Sequence, residues 1–223
     1  MTTWSDDASG YADPSVNRGA TWVTISTFRT RVEGGEFEGN NAGDPAREYY
    51  AASTSVGAAQ RSRIRVRLPL EAGAGSPGNA AGCGAGIRVN GSINGGGAGD
   101  NGYFLVVNGV TAERFQVYRC NAGDMGPATP LFGYTAAAPA NGDLAELRID
   151  ANWGLFLLVN DVEVATFDDA PNTTLRITGG YVGDYGLIVN EVIRWDDWEG
   201  GDVTAGGAPS PVIFAQRRVM RAA

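Results

Sequence analysis

Leu155-Phe156-Leu157-Leu158-Val159-Asn160-Asp161-Val162-Glu163-Val164 consists of two short apolar runs separated by Asn-Asp. Two polar residues that tolerate positive φ, placed between apolar runs, are the signature of a tight β-hairpin. Pairing about that turn sets Val159 opposite Val162 and Leu157 opposite Val164, and gathers the four on one face. Phe156 and Leu158 then point the other way. A strand that is apolar on both faces needs a second layer or a partner over it.

The same pattern recurs on either side. Tyr103-Phe104-Leu105-Val106-Val107, Phe115-Gln116-Val117-Tyr118 and Leu147-Arg148-Ile149 are strand-length runs broken by Asn, Gly or Asp. Asn108-Gly109 predicts a turn that places Tyr103 opposite Tyr118 and Leu105 opposite Gln116. Further strands are expected at Trp22-Val23-Thr24-Ile25, over 29–37 around Gly34-Gly35, over 48–53 and over 61–68. Residues 71–84, 91–101 and 178–186 read as loops, and 187–198 supplies the last strand or strands. With 33 glycines and no long helical periodicity, the chain reads as all-β, an antiparallel two-sheet sandwich. Residues 1–20 form an extended N-terminal arm that adds a short strand around Trp4. Residues 21–202 form the domain, and 203–223 form a linker and a C-terminal arm.

Charge excludes whole mechanisms. All 17 basic residues are Arg, and there is no Lys and no His. That removes histidine triads, imidazole metal sites, Schiff bases and a phosphate-loop lysine. The net charge of −8 argues against duplex nucleic acid as a partner. Arg61, Arg63, Arg65 and Arg67 alternate with Ser62, Ile64, Val66 and Leu68, a strand with an apolar face and a solvated basic face. A meander of strands near 85–90, 102–107 and 114–120 puts Cys83 and Cys120 at opposite ends of the sheet, too far apart for a disulfide. The polar, acidic start and the lack of a run of ~20 apolar residues predict synthesis in a cytoplasm and no membrane partner.

Taken in order, Trp22, Val32-Glu33-Gly34-Gly35-Glu36-Phe37, Gly86-Ile87-Arg88-Val89, Gly102-Tyr103-Phe104-Leu105, Leu157-Leu158-Val159-Asn160 and Asp196-Asp197-Trp198 resemble the concanavalin A-like jelly roll of laminin-G-type and legume-lectin-type domains. The resemblance implies a jelly-roll β-sandwich over roughly 20–202, a fold that hosts lectins, hydrolases and virion surface proteins. The hydrolases of this fold carry Glu-x-Asp-x-x-Glu or Glu-x-Asp-x-Glu on one strand, and no such cluster occurs here. Adjacent Asp196 and Asp197, at a strand's end, are expected to point to opposite faces. The chain is therefore expected to be non-enzymatic, with no catalytic residues and no cofactor.

Domains of this type sometimes bind Ca²⁺, for which Asp196, Asp197, Glu199 and Asp202 are the candidates. Asp6 and Asp7 join them if the N-terminal arm pairs with the last strand. The compact domain with two arms resembles structural proteins of tailed-phage particles. That implies a virion protein, a capsid decoration or tail/fibre component present in many copies and made in the host cytoplasm. Its docking contacts to other virion proteins or to further copies of itself would be Val212, Ile213, Phe214, Arg217, Arg218, Met220 and Arg221. The alternative is a carbohydrate-binding, lectin-like module that recognises surface glycans. Tyr103, Tyr118, Gln116 and Arg88 would then form its outer-face platform.

Overall fold

The structure, a computed structural model, describes residues 3–13, 22–24, 30–39, 46–50, 58–67, 82–90, 101–107, 115–121, 130–187 and 194–203. In chain order the strands are β1 (Thr3–Asp6), β2 (Trp22–Thr24), β3 (Thr30–Glu33), β4 (Glu36–Gly39), β5 (Ala46–Tyr50), β6 (Gln60–Arg67), β7 (Gly82–Asn90) and β8 (Asn101–Val107). They continue as β9 (Phe115–Cys120), β10 (Phe132–Tyr134), β11 (Leu144–Ile149), β12 (Gly154–Val159), β13 (Val162–Asp168), β14 (Tyr181–Leu187) and β15 (Arg194–Asp202). A single 3₁₀ turn, Ala8–Gly10, follows β1. Among the described residues no helix is long and apolar enough to cross a membrane.

Two antiparallel sheets result. One runs β13-β12-β11-β6-β15-β4-β3, with β1 beside the second half of β15; the other runs β10-β9-β8-β7-β14-β5-β2. The non-sequential neighbours β6-β15 and β7-β14 are what make this a jelly-roll sandwich rather than a meander. Between the sheets lie Ile64, Val66, Leu147, Leu157, Leu105, Val117 and Phe37, together with the fully buried Trp195 and Trp198. The indoles also tie the layers together. Trp198 Nε1 donates to Ser62 Oγ at 3.0 Å and to the Gly183 carbonyl at 2.9 Å, and Trp195 Nε1 donates to Asp184 Oδ2 at 3.3 Å. The bonds to Gly183 and Asp184 cross between the sheets, and all three satisfy buried polar groups that would otherwise be costly.

Several expectations hold. Asn160 and Asp161 turn with φ of 52° and 64°, the mirror-image turn that matches strand twist, and Val159 pairs Val162. Gly34 and Gly35, at 65° and 75°, make the same kind of turn between β3 and β4. Cys83 faces Val107 and Cys120 faces Gly102, opposite ends of β8, and both are buried and not joined in a disulfide. The short strand at Trp4 forms and pairs with β15. Leu158 is buried and Phe156 half-buried.

Others are corrected. A bulge at Leu157/Leu158 makes Ala165, not Val164, the partner of Leu157. Residues 181–187 are a central strand and not part of a loop. In the β8-β9 hairpin Tyr103 faces Arg119 and Phe104 faces Tyr118, one residue out from the expected register. A slip of one reverses every side chain's face. Asp196-Asp197-Trp198-Glu199 lies within β15 and not at its end. Between Asp196↔Arg65 and Glu199↔Arg63 there is one residue too many for the partner strand, and Asp197 takes φ 47°. The extra residue turns Trp195 and Trp198 both inward and lets Asp196 and Asp197 both reach the arginine side of β6.

That arginine side is largely closed off from solvent, with Arg65 and Arg67 only partly exposed. Arg61 and Arg63 are only 4% and 1% exposed. Both bind Glu199, Arg63 Nη2 at 2.9 Å, and both lie within 4.0 Å of Glu146. Arg65 meets Asp197 at 2.6 Å, Arg67 meets Asp196 at 2.9 Å, and Arg194 meets Glu38 at 3.1 Å. An unpaired buried guanidinium is expensive, so these carboxylates on β11, β15 and β4 are what permit the burial.

Candidate functional site

At one end of the sandwich, three segments from both sheets converge on Trp153. The β11–β12 turn holds the indole in place. Asp150 Oδ1 accepts from Asn152 N at 2.8 Å and Gly154 N at 2.9 Å, and Trp153 is held at φ 71°. This is the local bonding that Asp favours in turns. The β13–β14 connection is built the same way, with Ala170 N on Asp168 Oδ1 at 2.9 Å and Arg176 N on the Asn172 carbonyl at 3.0 Å. It is tied to the first turn by Asp169 N donating to the Trp153 carbonyl at 3.0 Å. Gly180, at φ 109°, lets this connection pass over β7, where a side chain would collide with the Arg88 carbonyl.

The result is an indole with two guanidinium groups over it. Arg88 Cζ lies 4.7 Å and Arg176 Cζ 4.6 Å from the ring centroid of Trp153. Arg88 is itself in the left-handed region at φ 54°, with its backbone N–H donating to Gln60 Oε1 at 2.9 Å and Nη2 donating to the Ala58 carbonyl. Burial lowers its pKa, opposed by the nearby Tyr103 hydroxyl. Behind the indole, fully buried Asp169 accepts from Tyr103 Oη at 2.5 Å, from Asn172 Nδ2 at 2.8 Å and from Arg119. Tyr103 Oη in turn accepts from Ile177 N at 3.1 Å. Burial first, then the hydrogen bond to Asp169, pushes the Tyr103 pKa up to about 12.

The glycan platform expected from sequence does not form. Tyr103 packs in the core, whereas Tyr118 and Gln116 lie on the other face of the seven-stranded sheet, buried, with Tyr118 Oη donating to Gln116 Oε1 at 2.8 Å. Of the four residues only Arg88 and Tyr103 come together, and they do so at the Trp153 end. Sequence reasoning missed Trp153, Asp169, Asn172 and Arg176. Asp150-Ala151-Asn152-Trp153-Gly154 was the available signal, since a large aromatic inside a turn is a loop residue in need of an explanation.

The calcium candidates also go elsewhere. Asp196, Asp197 and Glu199 are each held by an arginine of β6. Asp6 accepts from Tyr11 Oη at 2.7 Å and Trp22 Nε1 at 2.6 Å, and Asp7 Oδ1 caps Ser9 N at 2.8 Å. Asp6, Asp7 and Asp197 do share a cleft of about 210 Å³ with Ser5, Gly10 and Trp198. Even so, no group of three Asp, Glu, Cys or His among the described residues is placed to hold a metal. A cation there would have to displace guanidinium and hydrogen-bond partners, so this donor set does not fit Ca²⁺. Asp202 pairs with Gln60 on β6. The docking candidates Val212, Ile213, Phe214, Arg217, Arg218, Met220 and Arg221 lie outside the described residues.

No protein-family profile matches this sequence, and no curated protein is detectably similar to it. Solved structures do resemble it. The potassium-bound carbohydrate recognition domain of Emp46p is 13% identical with a TM-score of 0.51, covering 83% of this chain and 90% of that one. The exoplasmic/lumenal domain of VIP36, bound to Ca²⁺ and Man3GlcNAc, is 12% identical with a TM-score of 0.51 over 86% and 88%. The apo Crh5 transglycosylase is 13% identical with a TM-score of 0.51 over 92% and 85%. The sheet order and these likenesses together show the fold, an antiparallel two-sheet jelly-roll β-sandwich shared with these lectin-type recognition domains.

Proposed function

We propose that the chain is a carbohydrate-binding module without catalytic activity, with the saccharide seated at the Trp153 end of the sandwich. The observation that carries this reading is the half-buried indole on a turn, flanked by guanidinium groups that form no ion pair among the described residues. An aromatic ring with a few convergent polar groups on loops of a rigid sandwich is the arrangement that holds sugars. The recognition domains of Emp46p and VIP36 support it as relatives in fold.

The Crh5 likeness raises transglycosylation as the contrary reading. Retaining chemistry needs two carboxyls about 5–5.5 Å apart, one of them protonated as the acid. The strand carboxylates Glu146, Asp196, Asp197 and Glu199 are each paired with an arginine, so none of them stands free to serve in such a pair. The virion reading draws on the terminal segment, and its test is recovery of the chain in purified particles at a fixed copy number.

A glycan array probed with the full chain tests the proposal. Binding that disappears in Trp153→Ala, while circular dichroism stays unchanged, is the expected result. A folded protein that binds no glycan, or one that turns over a polysaccharide, overturns it.

A further inference from the structure

We infer that the Trp153 end is an anion site, and that the saccharide it takes bears a carboxylate or a sulfate. The saccharide half of this rests on the carbohydrate-binding reading; the anion half rests on the arginines alone.

The arginines whose side chains are described divide into two groups by partner. Arg61, Arg63, Arg65, Arg67, Arg119, Arg148 and Arg194 all form ion pairs with carboxylates. Arg88 and Arg176 have none among the described residues. Yet the chain carries a net charge of −8, so carboxylates are not scarce. Asp169, whose backbone N–H binds the Trp153 carbonyl, is already taken by Arg119, Tyr103 and Asn172.

The two unpaired cations are also close together. Each lies under 5 Å from the same ring centroid, so they sit within ~10 Å of one another, about the distance over which charges still interact at ordinary salt. Arg88 is only 6% exposed; an unpartnered buried Nε is common to Arg88, Arg176 and several of the ion-paired arginines, so it is the missing carboxylate that sets these two apart. Two like charges gathered without a counter-ion, one of them buried, are unfavourable unless something anionic joins them. Burial lowering the Arg88 pKa is in keeping with that.

Stacking supplies the geometry for such a ligand. A guanidinium lying on an aromatic face is held in one plane, and its in-plane N–H groups stay available to an oxyanion approaching edge-on. A uronate carboxylate or a sugar sulfate offers the paired oxygens that this fork accepts.

Isothermal titration of the full chain tests this, with tetragalacturonate, a sulfated oligosaccharide, neutral mannotetraose and sodium sulfate as separate probes. Acidic oligosaccharides should bind at least about tenfold more tightly than the neutral one, a factor that corresponds to ~1.4 kcal/mol. The affinity should fall several-fold between about 0.02 M and about 0.2 M NaCl, where screening grows. Arg176→Gln should remove the preference while leaving the melting temperature in place, and Arg176→Lys should restore only part of it. Equal, salt-insensitive binding of neutral and acidic probes overturns the anion site and leaves the carbohydrate-binding reading standing. Sulfate binding that Arg176→Gln abolishes, with no saccharide bound, supports the anion site and overturns the saccharide. Binding of no probe overturns both.

Discussion

The two arginine-rich regions of this protein handle the same side chain in opposite ways. On the outer face of the eight-stranded sheet, Arg61 and Arg63 are buried among Glu146 and Glu199, with Arg65, Arg67 and Arg194 each meeting a carboxylate at their side. At the Trp153 end, Arg88 and Arg176 lie on an indole and meet no carboxylate among the described residues. The first region is closed electrostatically. Its charges depend on each other. The second is open, held in shape by stacking, by turn bonds and by Arg88 Nη2 on the Ala58 carbonyl, while no carboxylate meets its guanidinium groups among the described residues. Pairing therefore marks structural arginines here, and stacking marks those with capacity for a partner.

The contrast would be broken most directly on the paired side. Arg63→Ala leaves Glu199 and Glu146 short of a counter-charge inside a buried network, and should cost about 3–5 kcal/mol in urea unfolding. The double variant Arg63→Met with Glu199→Leu should recover much of that, because removing both charges also removes their desolvation cost. A loss below about 1 kcal/mol for Arg63→Ala would show that the ladder does not behave as a closed network.

Next in size is the hub behind the indole. Tyr103→Phe takes one donor from buried Asp169 and should destabilise by about 1–3 kcal/mol. It should also alter the alkaline limb of stability. The Tyr103 hydroxyl has its pKa raised by burial to about 12, above the ordinary value of about 10 for an unfolded tyrosine. The unfolded state therefore loses its proton first. This contribution is complete below about pH 10 and is lost as pH rises toward 12, amounting to about 3 kcal/mol from a shift of two units. Denaturation followed from pH 9 to 12 should show that loss in the wild type and a shallower one in Tyr103→Phe.

A smaller effect is expected on the open side. Arg176→Ala removes a stacking contact worth about 0.5–1 kcal/mol at a partly exposed site, so thermal unfolding should hardly change. A large loss would mean that Arg176 is structural after all, and the distinction between the two regions would collapse. The smallest effect serves as the control. Val162, 62% exposed at the β12–β13 turn, should tolerate Thr within about 0.5 kcal/mol.

The legibility of these regions in the sequence differed for a physical reason. The strict alternation of 61–68 identified a strand with all its arginines on one face, and β6 has that form. What the alternation could not reveal was the carboxylate opposite, because Arg61 and Glu199 are 138 residues apart. The candidate site fared worse. Arg88 and Tyr103 were singled out, but for a face that a one-residue change of register reversed. Trp153 and Arg176 sit in turns, where no periodicity marks which side chains converge.

By itself, the sequence determined the all-β class, the Asn160-Asp161 hairpin, the β7-β8-β9 meander with its separated thiols, and the absence of histidine and lysine chemistry. These follow from composition, turn preference and the two-residue period of a strand, all of them local properties. Tertiary structure alone decided the bulge that turns Asp196 and Asp197 toward the same arginines, the register that buries Tyr103, and the division of the arginines into paired and unpaired. Those outcomes depend on which strand lies beside which across long sequence separations. Coulomb energy and burial are set by distance in space, and a local pattern does not encode that distance.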